Sequence, residues 1–200
     1  APAVRRAHEP AGHSGYHPTG DESGGAADKG PPAAHPRPGQ LRAGLPARNV
    51  SAFAAIPVVK TSNFIGDTLD MAAAAHFEQV LLVGHIGKLC KLAGGIMNTH
   101  SHTADCRTEL FCTHAALCGA DRKVCTALYN AATTDACLEI LDTAGLRKPV
   151  LQSLLAAIQL HLDRRAGGAF RVGAVLFSNQ YGPLGQTRTA KELLDEWQHG

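Results

Sequence analysis

The residues best suited to chemistry are gathered in "LLVGHIGKLCKLAGGIMNTHSHTADCRTE", Leu81 to Glu109. An apolar run gives way to Gly84, His85, Gly87 and Lys88, and a polar stretch, "NTHSHTAD" (98–105), follows. "GHIGK" lacks the Gly-x-x-x-x-Gly-Lys-Ser/Thr spacing of a phosphate loop, so a triphosphate site is not indicated. Lys88 and Lys91 lie three apart, on one face of a helix. They suit the carboxylates of a polyanionic ligand, or else form a solvated basic face. His100, His102 and Cys106 match no usual zinc spacing, and no metal is expected. Asn98, Thr99 and Ser101 fit loop hydrogen bonding, and Asp105 fits a helix cap. No Gly-x-Ser-x-Gly elbow or nucleophile–base pair is present.

These residues must be positioned by a framework of strands and helices. "IPVVK" (56–60) reads as a short buried strand, and 63–77 as a helix capped by Ser62 or Asn63. "QVLLVGHI" (79–86) is a continuous apolar run, as in a parallel strand covered on both faces. Helices are expected over 87–97, 105–119 and 133–143, the last ending at Gly145. Pro149 is expected to open another, through about residue 164. "FRVGAVLFS" (170–178) is a second strand, a Gly- and Pro-containing loop follows it, and "TRTAKELLDEWQ" (187–198) closes as a helix. The expected fold class is α/β, a mostly parallel sheet flanked by helices. Ligands of such sheets sit beyond the carboxyl ends of the strands. That singles out the loop after Val83, the loop after Phe177 and "KTSN" (60–63), whose free N–H groups favour anions or polar groups.

Two hundred residues with 44% hydrophobic content suffice for one folded domain with a tail. A net charge of +2 gives no case for nucleic acid or an anionic membrane. No apolar run reaches the roughly 20 residues of a membrane span, and residues 1–30 show no signal-peptide core. The six cysteines include no Cys-x-x-Cys pair and read as reduced thiols of a cytoplasmic protein, used as small apolar residues. Residues 1–50 contain eight prolines and eight glycines, with Val4, Tyr16, Leu41, Leu45 and Val50 their only large apolar residues. Such a segment cannot offset its ordering entropy, so 1–55 is expected to be disordered and 56–200 to form the α/β domain. From residue types alone, the domain is an α/β ligand-binding module with a conspicuous polar loop.

Three segments, "VVKTSNFIGDTLD" (58–70), "VLLVGHIGKLCKLAGGIMNTHSHTADCRTE" (80–109) and "AALCGA" (115–120), resemble the cobalt-precorrin-5B (C1)-methyltransferases of anaerobic cobalamin biosynthesis. "VGAVLFSNQYGPLG" (172–185) resembles the same family's closing strand and loop. The resemblance covers about residues 56–198 and corresponds to the C-terminal domain of a two-domain family. It implies methyl transfer from S-adenosylmethionine to C1 of cobalt-precorrin-5B, giving cobalt-precorrin-6A. The sulfonium donor is already activated, so such an enzyme aligns donor and acceptor and excludes water, needing no protein nucleophile. The substrate's many carboxylates would meet Lys88, Lys91 and Arg107, with Asn98, Thr99 and Ser101 beside them. His85, His100 and Asp105 would handle a proton or orient a ring edge. Thr61, Ser62, Asn63, Gly84 and Gly87 would hold the cofactor. The implied partner is the small-molecule corrinoid, with no nucleic acid and no membrane. A non-enzymatic module for a nucleotide-like or anionic ligand is the competing reading, and a His/Cys metal-binding protein a third.

Residues 1–50 do not resemble the family. Read one base on, with permitted synonymous codons, 35–48 can encode the family's apolar strand ending in Pro-Gly-Asn-Tyr-Gly. The segment is therefore expected to be aberrant, with the family's frame restored between Arg48 and Pro57. With no initiator methionine, the chain reads as an incomplete copy, with little or no turnover alone.

Overall fold

The computed structural model describes the backbone of residues 40–43 and residues 58–199. The expectations of disorder and of a shifted frame in 1–55 fall almost wholly outside the described residues. So does the start of the expected strand 56–60; of the rest, Val58 makes a single bridge and Val59 and Lys60 belong to no strand.

The described elements are β1 (Gln40–Ala43), α1 (Ile65–Ala74), β2 (Gln79–His85), α2 (Ile86–Leu89), a 3-10 helix (Cys90–Gly94), α3 (Arg107–Leu117), α4 (Arg122–Tyr129), α5 (Thr134–Thr143), α6 (Arg147–Ala166), β3 (Arg171–Ser178), β4 (Gly182–Gln186) and α7 (Arg188–His199). The sheet runs β1-β2-β3-β4. The β1–β2 and β2–β3 pairings are parallel and β3–β4 is antiparallel. The class is α/β, and the sheet is mixed, with two parallel pairings and one antiparallel. The antiparallel pairing comes from 182–186, read from sequence as a loop. Gly182 adopts φ 70, which lets the chain reverse after β3 and pair back along it.

β2 explains its own apolar run. Val80 and Leu82 face the main core, whereas Leu81 and Val83 face a second cluster with Ala190 of α7. Alternate side chains point to opposite faces of a strand, and both faces are covered here. α6 is the central helix, burying Val150, Leu154, Ile158 and Leu162 against the 3-10 helix, β3 and α3. On the other face α7 lies very close to β3. A Cβ on Gly173 would stand 2.3 Å from the backbone nitrogen of Ala190. Thr187 Oγ1 accepts from the N–H groups of Ala174 (3.1 Å) and Ala190 (3.4 Å), tying the start of α7 to β3.

Several boundaries differ from expectation for local reasons. α1 has Phe64 at its N-cap with no side-chain cap, because Asn63 turns instead to Thr99. The helix expected over 87–97 splits into α2 and a 3-10 turn that ends at Gly95, φ 75. α6 begins at Arg147, two residues before Pro149, which still lies in the first turn, where its missing N–H costs nothing. α4 was not expected. Asp121 caps it, accepting from Val124 N at 2.8 Å, and only Leu128 of it is fully buried.

Candidate functional site

The carboxyl ends of β2 and β3 open onto a cleft of about 590 Å³ lined by residues from four segments: Asn63, then His85, Gly87, Lys88 and Lys91, then Thr99, His100, Ser101 and Arg107, then Thr133, Thr134 and Asp135. An adjoining hollow of about 320 Å³ shares His85 and Lys88 with it. This one has Ile65, Leu82 and Val83 as an apolar floor, and Lys60, Thr61, Ser62, Gly84 and Phe177 around it. Nearly all the residues singled out from sequence therefore come together. Asn98 and Asp105 stand behind the lining.

Several of these polar groups have definite partners. His85 caps α2, its Nδ1 accepting from Gly87 N at 3.1 Å, and its ring meets Phe177 edge-on at 5.8 Å. Gly87 is closely packed there: a Cβ would come within 3.2 Å of His85 Nδ1 and 3.3 Å of Thr134 Oγ1. Gly84, by contrast, faces Leu89, whose side chain would lie 3.0 Å from its Cβ. Ser62 adopts φ 49, and its carbonyl accepts from Lys88 Nζ at 3.2 Å.

The "NTHSHTAD" loop folds over the 3-10 helix. Thr99 N donates to Asn63 O at 2.9 Å, joining the loop to the start of α1. Asn98 Oδ1 accepts from His100 N, and His100 Nδ1 from His102 N. In both His85 and His100 Nδ1 is thus an acceptor. With Nδ1 accepting, the ring hydrogen of each lies on Nε2, where it offers a ligand a donor.

Asp105 receives Arg107 in a two-pronged pair, Nε to Oδ1 at 2.6 Å and Nη2 to Oδ2 at 2.7 Å. Hydrogen bonding from Arg107 holds the Asp105 carboxyl below its usual range, and the same bond raises the Arg107 pKa. Asp105 is an ionised clamp. Arg107 still faces the cleft, its side chain 33% exposed. Lys88 and Arg107 bring positive charge to the lining, and Asp135, in the first turn of α5, brings a carboxylate.

Sequence reasoning missed the α5 contribution. Thr133 Oγ1 caps α5 by accepting from Ala136 N, and Asp135 Oδ1 accepts from Ser178 Oγ at 2.8 Å, so α5 is locked to the end of β3. The signal present was the Thr133 cap, which marks a helix start without showing where it docks. Elsewhere, burial pushes Cys90 up to about 12 and Cys137 to about 11, so both thiols stay neutral in the core. Among the described residues no group of three or more His, Cys, Asp or Glu is placed to hold a metal, and no helix is long and apolar enough to cross a membrane.

Residues 98–188 match the family model described as CbiD, C-terminal domain. Curated relatives named cobalt-precorrin-5B C(1)-methyltransferase match over the same part. One from Ruminiclostridium cellulolyticum is 48% identical over 121 residues, 60% of this chain and 32% of the relative. One from Tolumonas auensis is 38% identical over 141 residues, 69% of this chain and 37% of the relative. One from Moorella thermoacetica is 34% identical over 143 residues, 72% of this chain and 39% of the relative. The family expected from the sequence is the one found. The chain spans about a third of the length of these relatives. No solved structure matches it.

Proposed function

We propose that this chain, whose C-terminal part is a CbiD-type domain, supplies one wall of the active site of an S-adenosylmethionine-dependent methyltransferase acting on C1 of cobalt-precorrin-5B. The observation that carries this reading is the coincidence of the family signature with the cleft. Within that signature His85, Gly87, Lys88, Lys91, Thr99, His100, Ser101 and Arg107 line one surface at the carboxyl ends of the sheet, with three cationic side chains among them. A tetrapyrrole bearing many carboxylates requires such a surface, because each carboxylate loses hydration unless a cation or N–H replaces it.

On this reading Lys88 and Arg107 receive substrate carboxylates, with Ser101 and Thr99 beside them. Asn98 shapes the loop by holding the His100 N–H. His85 and His100 donate from Nε2 to a carboxylate or ring edge, which orients the substrate. Asp105 serves through Arg107 and remains ionised, so it gives up no proton. The hollow beside the cleft fits an adenosyl group: its apolar floor and the Phe177 ring suit a base, and Thr61 and Ser62 supply polar groups. Asn63 and Gly87 lie where hollow and cleft adjoin, and Gly84 backs the hollow against Leu89. The bound donor supplies a methyl group already activated for transfer. The protein's part is alignment and exclusion of water.

A cleft of about 590 Å³ does not enclose a corrinoid together with its donor. The chain is therefore expected to bind ligands without turning over by itself. The test is incubation of the purified chain with methyl-labelled S-adenosylmethionine and cobalt-precorrin-5B, with calorimetry of each ligand alone. Salt-sensitive binding of the corrinoid without label transfer supports the reading. Rapid transfer by the chain alone overturns the one-wall assignment. Binding of a mononucleotide in place of both ligands supports the competing anion-binding module.

A further inference from the structure

Lys91 behaves unlike the other cations of the cleft. Only 2% of it is exposed, although a lysine is almost never buried unless its charge is met. Its ammonium donates to Ala104 O at 2.7 Å and Thr99 O at 3.2 Å, and stands 3.7 Å from Asp105 Oδ1. An ammonium has three donors, and three partners surround this one. The two carbonyls lie at the two ends of the turn that carries His100 and Ser101. The third partner is the carboxylate that grips Arg107 through Nε and Nη2.

The direct alternative is that Lys91 meets the substrate, since it lines the floor of the cleft. That would require breaking a buried carbonyl bond. We infer that Lys91 is a positioning residue: it fixes the 99–105 turn and the Asp105 carboxylate so that the Arg107 guanidinium is held ready for a substrate carboxylate. This inference rests on the polycarboxylate reading of the cleft.

The test is fluorescence titration of the full chain with uroporphyrin III, a tetrapyrrole octacarboxylate, at low salt. Arg107→Met is expected to weaken binding roughly tenfold, the loss of one charge-assisted hydrogen bond. Lys91→Met should weaken it comparably, and the double variant no further, because Lys91 acts through Arg107. Additive losses mean direct contact and overturn the inference, as does a Lys91→Met chain that is less stable but binds unchanged. Asp105→Asn gives an independent test by sign. If Lys91 and Arg107 were simply free cations, removing the nearby anion would tighten binding. If Asp105 is a clamp, binding weakens despite the added net charge. Asp105 is 40% exposed at its side chain and the substituted amide keeps an oxygen acceptor, so this variant is the milder one should Lys91→Met fail to fold. A wild-type chain that does not bind uroporphyrin removes the polycarboxylate reading itself. A wild-type chain that binds, with additive losses or a tighter Asp105→Asn, removes the inference alone.

Discussion

Gly173→Ala should dislodge α7. The added Cβ would stand 2.3 Å from Ala190 N, 2.5 Å from its Cα and 2.8 Å from its Cβ, where ordinary contact begins at 3.4 Å. The clashing atoms are backbone or Cβ, so no rotamer change relieves them, and the helix must retreat by roughly 1 Å. Overpacking of this kind costs about 1–3 kcal/mol. The retreat also pulls Thr187 Oγ1 from the Ala174 N–H, a buried bond worth about 1 kcal/mol. Alanine recovers about 0.5–1 kcal/mol over glycine in a strand. The net loss is about 2 kcal/mol, which at a urea slope of about 2 kcal/mol per molar lowers the midpoint by about 1 M. Trp197, the single tryptophan, reports the event directly. It packs in the α7 cluster and donates from Nε1 to Gln79 Oε1 at 2.6 Å. Urea unfolding followed by its emission should show the lower midpoint and a red shift before unfolding begins. An unchanged midpoint with unchanged emission would refute the reasoning, because it would mean that α7 does not lie where the 2.3 Å approach puts it.

Other outcomes follow from single residues. Burial lowers the pKa of His114, whose Nδ1 lies 2.7 Å from Ser153 Oγ. The unfolded chain takes up this proton below about pH 6.5 and the folded chain does not, so stability present above that pH is lost as pH falls. His114→Asn should therefore flatten the slope of unfolding free energy between pH 7 and 5. Phe111, fully buried under α6, should lose about 3–5 kcal/mol on replacement by alanine, read as a lower Tm in calorimetry. Ser178 Oγ donates to Asp135 and accepts from Gln180 N and Tyr181 N. Ser178→Ala should cost about 1–3 kcal/mol and speed amide exchange at the β3–β4 turn and the first turn of α5.

What the sequence revealed tracks how local each signal is. The β2 run was legible because covering both faces of a strand leaves an unbroken apolar string. Thr133 and Gly145 marked the ends of α5 through capping chemistry confined to a few residues. β4 was not legible. Gly-Pro-Leu-Gly has low strand propensity, and pairing with β3 outweighs it. α4 is eight residues long, too short for its apolar side, Val124 and Leu128, to stand out as a periodic pattern. Of the first three segments of the cleft, His85 to Lys91 could be read because it follows the end of β2, Asn63 because it stands at a helix start, and Thr99 to Arg107 because it follows a glycine-rich helix end. The fourth, Thr133 to Asp135, arrives through tertiary packing of a helix some thirty residues further on. The shared side of Lys88 and Lys91 could be read from their spacing. That the 99–105 turn closes over one of them and not the other depends on hydrogen bonds between residues far too varied in their options to forecast.

The pairing of β2 with β3 has a consequence during synthesis. Gln79 is in register with Arg171, and five α-helices and a 3-10 helix lie between the two strands. At roughly 5–20 residues per second, a ribosome needs on the order of ten seconds to deliver the partner strand. Over that interval Val80, Leu81, Leu82 and Val83 have emerged, while β3, which pairs with them along one edge, and the helix that covers Leu81 and Val83 have not. A nascent chain halted within α6 would present this run as an apolar segment open to a holding chaperone. Synonymous changes that slow translation between α2 and β3 should lengthen that exposure and lower the soluble yield of an otherwise identical protein.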